Sequence, residues 1–199
     1  MDINQTLTLN RDAILNRWFE VAVNSYPEDT ARIFKKSKNQ FDNPVGSATR
    51  QSLEDTLNYI TDILSSSSAN LSNSSDYKNY VTHKSTIDQN KIENALDPVI
   101  RIRAVQNFSA SQALAFVFEL KTIVKSLFDG QKDSFDAIKH IDCIVDLVAL
   151  AAFNRFMKCR ENIFLLKATE AKRRIHTAFE RAGLVTELTE EELLGSSKS

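Results

Sequence analysis

Ile138-Lys139-His140-Ile141-Asp142-Cys143-Ile144-Val145-Asp146-Leu147-Val148-Ala149-Leu150-Ala151-Ala152-Phe153-Asn154-Arg155-Phe156 is the stretch whose spacing decides the fold. Ile138, Ile141, Val145, Val148, Ala152 and Phe156, continued by Cys159, Ile163 and Leu166, recur at gaps of three and four, the period of a helix face. No Gly or Pro occurs from Ser134 to Ala182, so the economical reading is one continuous helix, which would span roughly 70 Å at 1.5 Å per residue. Its first half is apolar on several faces and must be buried. The second half, beyond Leu166, is mainly charged and must be exposed or matched to another chain.

Upstream, Ser109-Ala110-Ser111-Gln112 fits the S-x-x-Q capping box, in which the two side chains satisfy each other's free backbone donors, and an apolar helix from Ala113 to Phe128 follows, closed by Asp129-Gly130. Asp88 to Val105 reads as helical, with an interruption expected at Asp97-Pro98, where Asp caps and Pro begins a new turn. Before it, the stretch 65–86 opens with Ser65-Ser66-Ser67-Ser68 and holds too little apolar surface to offset its ordering entropy; it reads as a flexible loop inside the domain. Leu53, Leu57, Ile60 and Leu64 mark a helix preceded by the loop Phe41-Asp42-Asn43-Pro44-Val45-Gly46. Ile14, Leu15, Trp18, Phe19, Ala22 and Val23 line one face of another, and Pro27-Glu28-Asp29 opens a short helix carrying Ala31, Ile33 and Phe34. Period-two alternation is nowhere sustained. The fold class is therefore all-α, an irregular helical bundle with a long C-terminal helix.

Composition agrees. Four Gly and three Pro in 199 residues fall far below their usual combined share of roughly 12%, which encodes few turns. A net charge of -1 argues against a whole-surface nucleic-acid or acidic-membrane partner. The first residues lack a secretory signal pattern, and Ile144 to Phe153, the nearest approach to a membrane span, is broken by Asp146. A cytoplasmic location is expected, without membrane insertion. Cys143 and Cys159 lie about 24 Å apart along one helix, beyond disulfide reach, and read as buried thiols in a reducing compartment.

The sequence offers little for catalysis. It holds no Gly-x-Ser-x-Gly, Walker loop, dinucleotide Gly turn or CxxC pair. His83, His140 and His176 read as isolated, the acidic residues at helical spacing beside them falling there by chance, and His140 reads as a surface or core histidine rather than a heme ligand. No enzyme, metal or cofactor is expected. Phe108, Phe116, Phe118 and Phe128, with Trp18 and Phe19, read as core packing before a ligand cavity. Arg101 and Arg103 point roughly 200° apart on a helix and cannot grip one anion together, so one is expected to pair internally, with Asp42 or Glu119, and the other to face solvent or a partner. From Arg155 to Arg181, eight Lys or Arg stand against three Glu. This basic face, with Lys172, Arg173 and Arg174 at its centre, reads first as a solvated surface balancing the acidic tail Glu187, Glu190, Glu191 and Glu192, and second as a partner-binding stripe.

Four blocks carry a family resemblance: Arg17-Trp18-Phe19-Glu20 through Tyr26-Pro27-Glu28-Asp29-Thr30; Phe41-Asp42-Asn43-Pro44-Val45-Gly46; Val99-Ile100-Arg101-Ile102-Arg103-Ala104-Val105-Gln106-Asn107-Phe108-Ser109-Ala110-Ser111-Gln112-Ala113; and Met157-Lys158-Cys159-Arg160-Glu161. In these the chain resembles the RsbT co-antagonist RsbRD N-terminal domain family of bacterial sensory modules, departing from it at Asn107, where the family prefers Asp, and Ala110, where it prefers Pro. The resemblance implies a heme-free, globin-like helical domain, commonly dimeric, and singles out Trp18, Asn43, Pro44, Arg101, Arg103, Gln106, Phe108, Ser109, Gln112 and Arg160 as motif or interaction residues. Family members of the stressosome carry a STAS output domain after this module; the chain ends soon after the linker helix, so that role does not transfer. The expected organisation is an N-terminal extension (1–10), a globin-like sensory domain (11–160), a continuation of the long helix (161–182) and an acidic, polar tail (183–199). The expected function is a homodimeric sensor acting by ligand- or partner-dependent protein interaction. The rival is an accessory subunit of a redox or membrane electron-transfer complex, as in sulfate reducers, bound through the basic helix.

Overall fold

In a computed structural model, residues 3–36, 41–67, 88–106, 108–128 and 135–184 are described. His83, Asn107, the Asp129-Gly130 stop, the stretch 68–86 and the acidic residues from Glu187 lie outside them. Seven helices are present among the described residues, and no strand: α1 Ile3–Leu9, α2 Arg11–Asn24, α3 Glu28–Lys36, α4 Pro44–Ser67, α5 Gln89–Val105, α6 Ala110–Lys125 and α7 Phe135–Arg181. The chain is all-α with a long C-terminal helix.

Two compact units are distinguished, Met1–Cys159 and Arg160–Ser199. In the first, α4 packs along α5 and α2, while α2 also lies on α6. The core is built from the faces the periodicity picked: Ile14, Leu15 and Trp18 of α2, Leu53, Leu57 and Ile60 of α4, Ile92, Leu96 and Ile100 of α5, and Phe116, Val117 and Leu120 of α6. Within the first ten residues, α1 adds to this core, burying Ile3, Thr6 and Leu7 and packing on α4.

The apolar first half of α7 is buried through Ile141, Ile144, Val145, Val148 and Ala152. Ion pairs fix its register against two helices. Lys121 and Lys125 of α6 reach Asp146 and Asp142 at 2.7 and 2.8 Å, and Asp97 and Glu93 of α5 take Arg155 and Lys158. In both sets the order reverses, so α7 runs antiparallel to each partner.

Several boundaries differ from expectation. α5 is unbroken across Asp97-Pro98. Pro98 removes one backbone donor, but Leu96, Val99 and Ile100 beside it are buried, and Asp97 does not cap. Its carboxylate instead accepts from Arg101 and Arg155. The loop at Phe41 ends at Asn43, and Pro44-Val45-Gly46 is already helix. Pro44 sits where a missing N–H costs nothing, and the Asn43 Oδ1 accepts from the Gly46 N–H at 2.9 Å, an N-cap. A Cβ on Gly46 would lie 2.6 Å from that oxygen, which is why the cap requires glycine there. Ser65 to Ser67 are helical, so the Ser-rich stretch begins inside α4. Cys159 is buried as expected, whereas Cys143 is only partly so. Phe118 stands exposed rather than in the core, while Phe19, Phe116 and Phe128 are buried.

Candidate functional site

The last turn of α5 puts Arg103 at the meeting point of α2, α5 and α6, where its side chain is wholly buried. Nη2 donates to the carbonyl oxygen of Ala22 at 2.6 Å and to Ser25 Oγ at 3.0 Å, at the C-terminal end of α2. Nη1 donates to the carbonyls of Gln112 and Ala113 at 3.3 and 3.1 Å. The rings of Phe116, Phe108 and Tyr26 surround the guanidinium, their centroids 4.5, 5.4 and 5.5 Å from Cζ.

Among the described residues no carboxylate is its partner. The expected pairing with Asp42 or Glu119 is replaced by backbone carbonyls and π faces, and the negative end of the α2 dipole supplies part of the compensating charge. Burial still pulls the Arg103 pKa below its ordinary value, opposed by Tyr26. Burial likewise pushes the Tyr26 phenol up, opposed by the Arg103 charge. Among the described residues, Arg103 Nε and the Tyr26 hydroxyl meet no partner at full hydrogen-bonding geometry, but the two groups lie close enough to interact and to oppose the effect of burial on each other.

Local chemistry holds the frame. Ser109 Oγ accepts from the Gln112 N–H at 3.3 Å while Gln112 Oε1 accepts from the Ser109 N–H at 3.0 Å, the capping box read from the sequence. It fixes the α5–α6 turn, and with it the Gln112 and Ala113 carbonyls that receive Arg103. Trp18 Nε1 donates to the Phe116 carbonyl at 2.7 Å, tying α2 to α6. Tyr26 meets Phe34 and Phe108 edge to face, each at 5.1 Å. Asn43 Nδ2 donates to the Phe34 carbonyl at 2.6 Å, so the cap of α4 also holds α3 against this cluster.

Trp18, Asn43, Arg103, Phe108, Ser109 and Gln112, scattered over three sequence blocks, are thus joined in one network, with Pro44 starting the capped helix. Arg101 is excluded from it. It faces solvent and pairs with Asp97 at 2.9 Å. Arg160, Lys172, Arg173 and Arg174 lie exposed in the second unit, Arg174 pairing with Glu170 at 2.5 Å. Tyr26 and Phe34 complete the cage although neither stood out as a site residue. Ala22 and Ser25 act partly through a backbone carbonyl, which leaves no mark in composition.

Beside Tyr26 opens a groove of about 620 Å³ bordered by Asn24, Glu28, Arg32 and Lys35. Its lining brings amide, phenol, carboxylate and cationic groups to one open depression. Among the described residues no three His, Cys, Asp or Glu side chains cluster as metal ligands, and no helix is long and apolar enough to cross a membrane. His140 is half-buried on α7, and His176 Nδ1 lies 3.3 Å from Glu180.

In the second unit, α7 stands exposed along its length, with Phe164, Leu166 and Ile175 uncovered. It closes on Gly183 at φ 66°, where the Leu184 N–H donates to the Phe179 carbonyl at 3.0 Å. This is a Schellman stop.

These features define an all-α protein organised around a buried arginine, with an exposed helical extension. Comparison with family models, curated proteins and solved structures returns no match.

Proposed function

We propose that this protein is a non-enzymatic bacterial sensory or regulatory module of the RsbRD N-terminal type, globin-like and heme-free, which works in the cytoplasm as a homodimer through ligand- or partner-dependent protein interaction. The observation that carries the reading is the convergence on Arg103 of residues that the resemblance singled out from separate blocks. A charge held by carbonyls at the ends of α2 and α6 makes the packing of three helices depend on one side chain. Such a junction suits a module that reports a bound signal by a shift of packing. The groove beside Tyr26 is where a small signal would meet it.

Dimerisation is assigned to Leu150, Phe153 and Met157, which leave an apolar strip exposed on the first unit's part of α7. A second copy is the commonest cover for such a strip. Sedimentation velocity at tens of micromolar tests this: a dimer that Phe153→Glu converts to monomer is expected, and a monomeric parent overturns it. Native mass spectrometry of protein from its own host tests the sensor reading, with retained small-molecule mass as the expected result and a bare chain against it.

The exposed basic helix favours a second reading, an adaptor that docks on a redox or membrane complex. Charge reversal at Lys172, Arg173 and Arg174 then removes a co-purifying polypeptide while the dimer persists.

A further inference from the structure

From Phe164 to Ala182 a seven-residue repeat runs along α7. Phe164, Ala171 and Ala178 hold one seam position and Ala168, Ile175 and, in the turn that follows the helix, Ala182 the other, which places them on one face about 80° wide. The face is open, Phe164 being 73% and Ile175 57% exposed. One flank of the seam is Lys167, Arg174 and Arg181; the other is Leu165, Lys172 and Phe179. Neither flank carries an acid of its own; Glu170 and Glu180 lie outside the seam at 100° per residue, Glu170 pairing with Arg174 at 2.5 Å in an exposed i,i+4 bridge that an incoming acid would share or replace.

Flanking charges select the partner of a helical seam. A second copy of this helix is disfavoured in both directions: a parallel pairing sets Lys167 against the other copy's Lys172, and an antiparallel one sets the Lys167, Arg174 and Arg181 flank against itself. A bilayer is a poor occupant as well, because four of the six seam residues are alanines with little surface to insert. Those alanines instead let another helix come close, with Phe164 and Ile175 as the knobs.

We infer that this face of α7 docks an amphipathic helix from another protein whose apolar stripe is flanked by Glu or Asp. The inference rests on the reading of the chain as a partner-binding module and names the chemistry of that partner.

The test titrates the full chain with labelled synthetic helical peptides about three heptads long that share one Leu/Ala seam and carry either Glu or Lys at both flanks. The Glu peptide is expected to bind about tenfold more tightly at low salt, the sum of several exposed ion pairs, and its advantage to shrink as salt rises. Lys167→Glu/Arg174→Glu/Arg181→Glu reverses the preference, and Ile175→Ser weakens both peptides; unchanged helicity by circular dichroism shows each variant folded. Equal binding, or none, overturns the inference. So does capture by phosphatidylserine vesicles without preference between the peptides, which would assign the face to a membrane, or dissociation of the dimer by Ile175→Ser, which would assign it to a second copy. If the Glu peptide fails while reversal at Lys172, Arg173 and Arg174 still removes a co-purifying polypeptide, the partner-binding reading stands and only the partner's chemistry is overturned.

Discussion

The Nη2 atom of Arg103 donates to the carbonyl oxygen of Ala22 at 2.6 Å across 81 positions of sequence, joining the end of α2 to the last turn of α5. Removing the side chain takes the guanidinium donor from the Ser25 hydroxyl and from the Ala22 carbonyl, which keeps its bond from Ser25 Oγ at 2.7 Å, and opens a void among Tyr26, Phe108 and Phe116. Arg103→Ala is expected to cost about 3 kcal/mol or more, as loss of a buried charge-assisted network does. Arg103→Lys, which keeps the charge and loses the planar fork, is expected to retain only a minor part. Urea unfolding followed by circular dichroism checks both, read from the midpoint at constant slope.

Tyr26 gives the same junction a pH dependence. Its phenol ionises above the ordinary value of 10.0 because burial disfavours the anion, despite the nearby guanidinium. A raised folded-state pKa means the unfolded chain loses its proton first. The contribution is complete below the unfolded value and is lost as pH climbs through the folded one. Tyr26→Phe is expected to be within about 1 kcal/mol of the parent at neutral pH, since the buried hydroxyl has at most a loose interaction with the Arg103 guanidinium to lose. It should also make stability fall less steeply above pH 10. Tyr59 and Cys143 shift in the same direction, so the variant removes one portion of the alkaline loss.

Asn43 and Gly46 form a coupled pair. The Asn43 side chain caps α4 through the Gly46 N–H and bonds α3 through the Phe34 carbonyl, filling the space a Cβ on Gly46 would need. Asn43→Ala is expected to cost about 1–2 kcal/mol, and Gly46→Ala a similar amount by expelling the cap. Once Asn43→Ala has emptied the space, Gly46→Ala should instead gain a few tenths to about 1 kcal/mol, the ordinary helix advantage of alanine. Thermal unfolding of the four members of the cycle checks this, and simple additivity would contradict the packing described.

What was legible in the chain follows from how local each cause is. Ser109 and Gln112 are three residues apart and answer only to each other, so spacing alone located the box. The apolar faces of α2, α4 and α7 were legible because burial repeats with the helix period. Asn43-Pro44-Val45-Gly46 misled because Asn-Pro and Gly are breakers in general, yet here serve as cap, first position and clearance for the cap. Pro98 misled for a related reason: a helix buried on both sides of it outweighs one missing bond. Arg103 was legible as a residue and illegible as a contact. Acidic side chains are visible in a sequence and are the partners it suggests, whereas carbonyls belong to every residue and become acceptors only where three helices meet.

Hydrogen exchange should divide α7 into halves of different stability. Amides from Ile144 to Ala152 lie under buried side chains and beside the Asp142 and Asp146 ion pairs, so they open only when the bundle does. Those from Ile163 to Arg181 belong to a largely exposed helix, supported by local terms such as the Glu170–Arg174 pair and the Gly183 stop. Such terms are worth a few tenths of a kcal/mol apiece, and a helix of this length without tertiary packing is marginal in water. Protection in the second half is therefore expected to be lower by orders of magnitude, and Ala171→Gly to lower it further while leaving Ile144 to Ala152 unchanged. Addition of the acidic-flanked peptide should raise protection in that half alone, because a partner laid on Phe164 and Ile175 supplies the packing the isolated helix lacks. Equal protection of both halves in the chain by itself would mean that the seam is already covered, and the basic flanks would then have to be satisfied within the same assembly.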